Sequence, residues 1–405
     1  MALSNSNVLT AEKYKIDTKE IETKVDTEKN VKVLGNDLTF LNVRESERTK
    51  HVHRLHPYLG KFVPQLVEVF LNKYFKPGDT VVDPFCGSGT TLIEANALGI
   101  NSIGIELSEF NALITRVKID QYNYLQVEKE IKDAMLKVDQ FSKQIRAKDA
   151  KLAEAANFET NSEYLNTWFA KSALQEILFY KSIIKNYKYK DILKVILSRA
   201  ARSSRLITHY ELARPKAPIT KTYWCIKHRR ECKPTENATQ FIDRYSYDTI
   251  YRLNQFSRIR TNTKTEIIQG DSRFVKLDGK FDGIFTSPPY VGVIDYHDQH
   301  QYAYELFDMQ RLDEKEIGPA KQGQSNVAKI KYVEDISAVF NNMKNYLKPD
   351  AKIFIVANDK FGLYPEIGRR CGFYLIDTFN RPVLMRTERT GKAYFESIFY
   401  FKLKS

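Results

Sequence analysis

The chain has 405 residues, 42% hydrophobic and 28% charged, ordinary globular values that exclude collagen-like and wholly disordered classes. The length suits two domains, or one large domain carrying an insertion. Sixty-three Lys and Arg against fifty Asp and Glu give a net charge of +13 and a pI near 9.2, which suits a polyanion partner through release of phosphate counterions. Residues 1–48 are polar, with mixed charge and little periodicity, and read as a flexible or loosely docked extension. The segment HVHRLHPYLGKFVPQL then leads into a helix, with Leu66, Val69, Phe70 and Tyr74 at helical spacing. A turn at Lys76-Pro77-Gly78-Asp79 precedes the β-branched run Thr80-Val81-Val82, which ends in DPFCGSGTT. TTLIEANALG reads as a helix closed by Gly99 and NSIGIEL as the next strand, so 49–120 contains a βαβ unit with a cradling turn.

From 121 to 262 helical stretches dominate, followed by the irregular basic stretch ARPKAPITKTYWCIKHRRECKP. Sheet signals resume at TEIIQGD, FDGIFTSPPY, AKIFIVAND, GFYLIDTFN and YFESIFYFKL, within 263–405. The expected architecture is α/β: a sheet interrupted by a helical, basic insertion. The N-terminus MALSNSNVLTAEKYK lacks the apolar core of a signal peptide, and no apolar run approaches the roughly 18 residues of a membrane helix. Four cysteines (Cys86, Cys225, Cys232 and Cys371) do not make a disulfide framework in a chain this long, so the cytoplasm is the expected compartment.

Three strand ends carry the candidate chemistry. In Asp83-Pro84-Phe85-Cys86-Gly87-Ser88-Gly89-Thr90-Thr91, small residues let the backbone approach a ligand, and the helix beginning near Thr90 offers unpaired N–H groups. Asp83 suits a cationic amino group better than a phosphate, and the loop lacks both the G-K-[ST] ending of a P-loop and the third glycine of a dinucleotide fingerprint. Glu106 ends the following strand, where a carboxylate can accept both hydroxyls of an adenosine ribose. Asp271 ends a further strand, within reach of an adenine amino group. In Thr286-Ser287-Pro288-Pro289-Tyr290 an apolar strand runs into two prolines that fix carbonyl oxygens in space. A polar side chain, a rigid carbonyl and the flat face of Tyr290 suit a planar base with an exocyclic amino group, taken out of the duplex stack.

With these motifs the chain resembles the S-adenosylmethionine-dependent DNA amino-methyltransferases, which methylate cytosine N4 or adenine N6. DPFCGSGTT resembles the family's cofactor loop, TSPPY its catalytic motif, and HPYLGKFVPQL the segment before the loop; together the resemblance covers about 50–120 and 263–405. The order of cofactor half, insertion and catalytic half resembles the α-group arrangement, in which the insertion carries target recognition. The resemblance implies a Rossmann-like class I methyltransferase sheet, with S-adenosylmethionine as cofactor and double-stranded DNA as substrate. It further implies that Lys61, Phe62, Asp83, Phe85, Gly87, Gly89 and Thr90 surround the methionine end, with Glu106 on the ribose and Asp271 on the adenine. Ser287 and the Pro288 carbonyl would accept from the target amino group, leaving the nitrogen lone pair for in-line attack on the sulfonium methyl. Pro289 would stiffen the loop and Tyr290 would stack on the flipped base.

In this family Ser before Pro-Pro is associated with cytosine N4, and Asp or Asn with adenine N6, so Ser287 favours cytosine. Adenine N6, an RNA amino group and a non-catalytic DNA-binding role are the competing readings. Carbon-5 chemistry needs a thiolate nucleophile, which the catalytic motif lacks. A monomer is expected, together with a separate cognate restriction endonuclease, because the chain carries no convincing nuclease motif.

Between Ala201 and Pro234 nine Lys or Arg stand against only Glu211 and Glu231, with Tyr210, Tyr223 and Trp224 interleaved. Arg214, Lys221, Arg229 and Arg230 are the expected DNA contacts. Cys225-x-x-His228-x-x-x-Cys232 supplies three of the four ligands of a structural zinc, with His209 the nearest fourth. On spacing alone reduced, partly buried thiols and no metal are expected. His297 and His300 are read as DNA or substrate contacts or as ordinary polar packing. Asn358, Asp359, Arg381, Arg386 and Thr387 are further positions near the mouth of the site.

Overall fold

A computed structural model describes residues 32–33, 36–60, 62–147, 158–209, 211, 216–383 and 394–404. Helix α1 (Pro64–Tyr74) starts on a proline at its first turn, where the missing N–H has no intrahelical partner to lose. It is followed by β1 (Thr80–Asp83), α2 (Thr90–Ala97), β2 (Asn101–Glu106) and α3 (Glu109–Ile119). Ser108 caps α3, its hydroxyl accepting from the Asn111 N–H at 3.2 Å. The next segment contains α4 (Tyr124–Arg146), α5 (Lys171–Ile183), α6 (Lys190–Ser204), the hairpin β3 (Tyr223–Cys225) and β4 (Arg230–Cys232), and α7 (Thr239–Ser257). The chain then returns to the sheet through β5 (Thr265–Gln269), β6 (Phe281–Thr286), α8 (Asn326–Lys344), β7 (Leu347–Ala357), α9 (Tyr364–Cys371), β8 (Phe373–Val383) and β9 (Tyr394–Leu403).

Seven strands form one sheet in the order β8-β9-β7-β6-β1-β2-β5. Ladders β5-β2, β2-β1, β1-β6 and β6-β7 are parallel, whereas β9 runs antiparallel to both β7 and β8. Numbered by their order within this sheet, the strands lie 3-2-1-4-5-7-6 with the seventh reversed, which is the class I methyltransferase arrangement expected from the motifs. The order turns back between β1 and β6, and at such a switch point the strand ends leave a crevice for a ligand.

Side chains alternate across the sheet. Val82, Ile284, Ile353, Ile355 and Phe399 join a core with α8 and α9, while Val81, Phe285, Phe354, Val356 and Ile398 join a core under α1. A third core unites α2 and α3 with α4 to α7, so the inserted helices share buried surface with the cofactor half. Leu38 and Phe40 are buried in the α1 core, and the Arg381 guanidinium donates to the Leu38 carbonyl at 3.2 Å. The stretch from 38 to 48, grouped with the extension by its polarity, therefore begins on the sheet; its few apolar residues, Leu38, Phe40, Leu41 and Val43, are too short a run to reveal this. Residues 1–31 lie outside the described residues.

Candidate active site

The carboxyl ends of β1, β2, β5 and β6 converge on a cleft of about 870 Å³, part of it open to solvent. Phe62, Phe85, Gly87, Thr90, Glu106, Asp271, Ser287 and Pro289, all candidate site residues of the sequence, line it. Asp83, Gly89, Pro288 and Tyr290 support the cleft from outside its lining, and Lys61 lies outside the described residues.

The glycine loop is shaped by its neighbours. Gly87 and Gly89 have φ of 52° and 81°, the left-handed region that glycine enters without penalty. A Cβ on Gly89 would lie 2.8 Å from Thr115 Cγ2, and one on Gly87 would lie 3.0 Å from the Tyr58 hydroxyl. The Thr115 hydroxyl donates to the Gly87 carbonyl at 3.0 Å, and the buried Lys118 ammonium donates to the Ser88 carbonyl at 2.6 Å. Cys86 packs against β2 at Gly104, where an added Cβ would meet its sulfur at 2.6 Å, so its role is packing.

Asp83 is buried, 1% exposed. Its Oδ1 accepts from the Phe85 N–H at 3.1 Å and from the Thr286 hydroxyl at 2.6 Å, and burial lifts its carboxyl to about 6. Asp83 thus ties the cofactor loop to the residue before Ser287, where the motif implied contact with the cofactor's amino group. Glu106 projects into the cleft; it accepts from the Gly87 and Ser108 N–H groups, each at 2.8 Å, and from the Asn111 amide at 3.4 Å. Burial raises it to about 7 against these hydrogen bonds. Asp271 also lines the cleft, with its carboxylate held by Arg273, whose Nη2 lies at 2.7 Å and whose Nη1 bridges to Asp335 at 2.7 Å.

The loop after β6 is fixed by polar contacts. The Tyr332 hydroxyl donates to the Pro289 carbonyl at 2.8 Å and lies 2.8 Å from the Tyr364 hydroxyl. The Pro288 carbonyl accepts no hydrogen bond among the described residues. The Tyr290 hydroxyl donates to Glu396 at 2.9 Å, and Glu396 is paired in turn with the fully buried Arg381. Arg381, read from sequence as a mouth residue, is therefore interior, because burial beside a carboxylate suits a guanidinium that bonds both Glu396 and Leu38. Asp359 caps α9, accepting from the Leu363 and Tyr364 N–H groups at 2.7 and 3.1 Å. Arg386 and Thr387 lie outside the described residues.

Among the lining residues, Tyr58 and Glu316 were not named from the sequence, whereas His297 was read as a candidate substrate contact. Tyr58 sits over the glycine loop, stacked on Tyr296 with centroids 5.9 Å apart. Its position inside the HPYLGKF segment was the available signal. His297 and Glu316 also line the cleft; Glu316 Oε1 accepts from the His297 backbone N–H at 2.8 Å and contacts its ring Nδ1. The buried Nε2 of His297 has no hydrogen-bond partner among the described residues. His300 is 3% exposed and burial holds it neutral, with its pKa at about 3, so it packs among Tyr58, His56 and Phe110 and is not a DNA contact.

On the insertion, Lys221, Arg229 and Arg230 are exposed around the β3–β4 hairpin, beside Trp224 and Ile226 at 62% and 69% exposure. Arg214 and Tyr210 lie outside the described residues. Arg205, which belongs to the same basic stretch of sequence, is 3% exposed and lies over the Tyr302 ring at 4.9 Å. Its charge therefore lies in the interior and does not contribute to the exposed basic surface.

Apolar walls from Phe62 and Phe85, strand-end carboxylates and an open glycine turn fit a nucleoside carrying a cationic tail. The family model described as DNA methylase matches residues 4–116, and one described as RMKL-like, methyltransferase domain, matches 66–178. The type II methyltransferase M.MjaII of Methanocaldococcus jannaschii is 41% identical, over 91% of this chain and 83% of that protein. The type II methyltransferase M.BsoBI of Geobacillus stearothermophilus is 24% identical over 72% of this chain and 60% of its own length. A tRNA (guanine(10)-N2)-dimethyltransferase of Methanocaldococcus jannaschii is 33% identical over 28% of this chain and 34% of its own. With the M.MjaII likeness spanning both motif halves and the insertion between them, the chain belongs to the S-adenosylmethionine-dependent DNA amino-methyltransferase family.

Proposed function

We propose that this enzyme methylates the exocyclic N4 of a cytosine flipped out of duplex DNA, as the modification half of a restriction–modification pair with a separate endonuclease. The observation that carries the reading is the loop after β6, where Ser287 borders the cleft beside a Pro288 carbonyl free of hydrogen bonds among the described residues. These two acceptors would take the protons of the base amino group and orient its nitrogen. Tyr290, anchored through its hydroxyl to Glu396, would hold its ring against the base and offset part of the few kcal/mol that flipping costs. S-adenosylmethionine supplies the methyl group. Glu106 would accept from the ribose hydroxyls, Asp271 from the adenine amino group, and Phe62 and Phe85 would exclude water. Acceleration would come mainly from holding two reactants in line. Lys221, Arg229 and Arg230 would grip phosphates, and a monomer suffices for methylating one strand at a time.

The test is incubation with isotopically labelled S-adenosylmethionine and unmethylated genomic DNA, followed by nucleoside mass spectrometry. Labelled N4-methylcytosine is the expected product. Labelled N6-methyladenine would keep the site and discard the cytosine assignment. Label absent from DNA, with cofactor bound, would overturn DNA methylation and direct attention to RNA.

A further inference from the structure

The β3–β4 hairpin poses a problem of stability. Each strand has three residues, and the buried residues within them are Cys225 and Cys232 alone. An isolated two-stranded hairpin is marginal in water, and this one turns Trp224 and Ile226 outward. Small units without a core are commonly held by a metal or a disulfide.

We propose that His209, Cys225, His228 and Cys232 form a tetrahedral zinc site that staples the hairpin to the segment following α6. Sequence spacing gave three ligands, and the fold supplies the fourth. The four ligand atoms lie within 4.8 Å of one another. Cys225 Sγ is 3.5 Å from His209 Nδ1 and 3.6 Å from His228 Nδ1, and Cys232 Sγ is 3.5 Å from His228 Nδ1. Zinc bonds of roughly 2.3 Å to sulfur and 2.0–2.1 Å to nitrogen put the sulfur–nitrogen edges of a tetrahedron at about 3.6 Å. The observed edges match that figure. Two thiolates and two imidazoles suit zinc and disfavour the oxygen-seeking calcium and magnesium, and two thiolates balance the dication.

The surroundings are consistent with closure around a metal. Arg229, at φ 51°, donates its N–H to the Cys225 carbonyl at 2.7 Å, turning the chain so that Cys225 and His228 face the same point. The Tyr223 hydroxyl accepts from the His209 N–H at 3.2 Å and lies 3.0 Å from His209 Nδ1. Metal binding releases the second contact and keeps the first, so Tyr223 continues to position His209. A second cluster, His51, His53 and Glu94, is a poorer site because the Glu94 carboxylate is already shared by His53 at 2.6 Å and Lys50 at 2.8 Å.

The experiment uses the full chain, purified under reducing conditions without chelator. Elemental analysis should find one zinc per chain, and exchange for cobalt should give the intense visible bands of a tetrahedral thiolate-bound ion. A Cys225→Ser/Cys232→Ser variant should lose both the zinc and the cobalt bands. His228→Cys, which keeps four ligands and so guards against a merely misfolded variant, should retain one metal and shift the cobalt bands by adding a third thiolate. A metal-free chain that gives no cobalt spectrum overturns the proposal. So does a double cysteine variant that still holds one zinc, since the ion would then sit elsewhere, as at His51, His53 and Glu94.

Discussion

Ser287 and Glu106 make opposite demands on the cleft, one on turnover and the other on binding. If Ser287 accepts from the target amino group mainly as the nitrogen reacts, Ser287→Ala should lower kcat by roughly ten- to a hundredfold, the worth of one well-placed hydrogen bond. Calorimetry should find its cofactor affinity nearly unchanged; an equal loss in both would make Ser287 a structural residue. Glu106 titrates at about 7 in the free protein because burial outweighs its three hydrogen bonds. The ionised form is the better acceptor for ribose hydroxyls. Affinity should therefore rise with pH up to about 7 and level off above it, with a slope of at most about tenfold per pH unit from this group. Glu106→Gln should flatten that profile in a calorimetric titration across the neutral range. Asp83, whose carboxyl lies at about 6, would leave a weaker dependence on the acid side. Both strand-end acids were legible because each closes an apolar run. Tyr58 and Glu316 were not named, because they reach the cleft from loops whose sequence has no period and whose neighbours are distant in the chain, whereas His297, read as a candidate substrate contact, does line it.

Among the elements, the glycine loop and the hairpin show what a pattern reveals and what it hides. Gly87 and Gly89 stood out because few residues tolerate such a turn, and the structure adds the reason at Gly89, where Thr115 occupies the space of a side chain. Gly89→Ala combines a left-handed backbone cost of roughly 1–2 kcal/mol with that clash. It should lower the melting temperature and weaken cofactor binding by about tenfold or more; wild-type values in both would mean that the loop has room to move. The β3–β4 hairpin was read as irregular because its outward residues include Trp224 and Glu231 and each three-residue strand buries only its last position, too short a run to show alternation. Its exposed arginines nonetheless lie where the basic stretch of sequence placed them. Arg229→Glu with Arg230→Glu should weaken DNA binding and reduce the dependence of log K on log salt by roughly one for each phosphate that is no longer neutralised. Cofactor binding should be unaffected, and an unchanged salt slope would move the DNA surface elsewhere.

At the scale of the whole molecule, the loop carrying Ser287 to Tyr290 after the central strand β6 is held by the antiparallel edge of the sheet. Tyr290 reaches Glu396 on β9, Glu396 pairs with Arg381 on β8, and Arg381 reaches back to the Leu38 carbonyl. No local pattern announces such a chain, since Tyr290 and Glu396 lie 106 residues apart and Arg381 has the composition of a surface residue. Yet Arg381 and Glu396 are 1% and 5% exposed, so removing one partner strands the other as a buried, unpaired charge. Arg381→Met should therefore destabilise the fold by about 3–5 kcal/mol, measured as a lowered urea midpoint. Replacing both partners, with Arg381→Met and Glu396→Leu, should recover much of that loss, because an apolar pair leaves no charge to solvate. The double variant should still turn over poorly, since Tyr290 loses the acceptor that fixes its ring. Stability and catalysis would then separate in one pair of substitutions. If the double variant were as unstable as the single, the bond to Leu38 would be the dominant anchor and the ion pair secondary. Full turnover in the recovered double variant would show that Tyr290 needs no tether to Glu396.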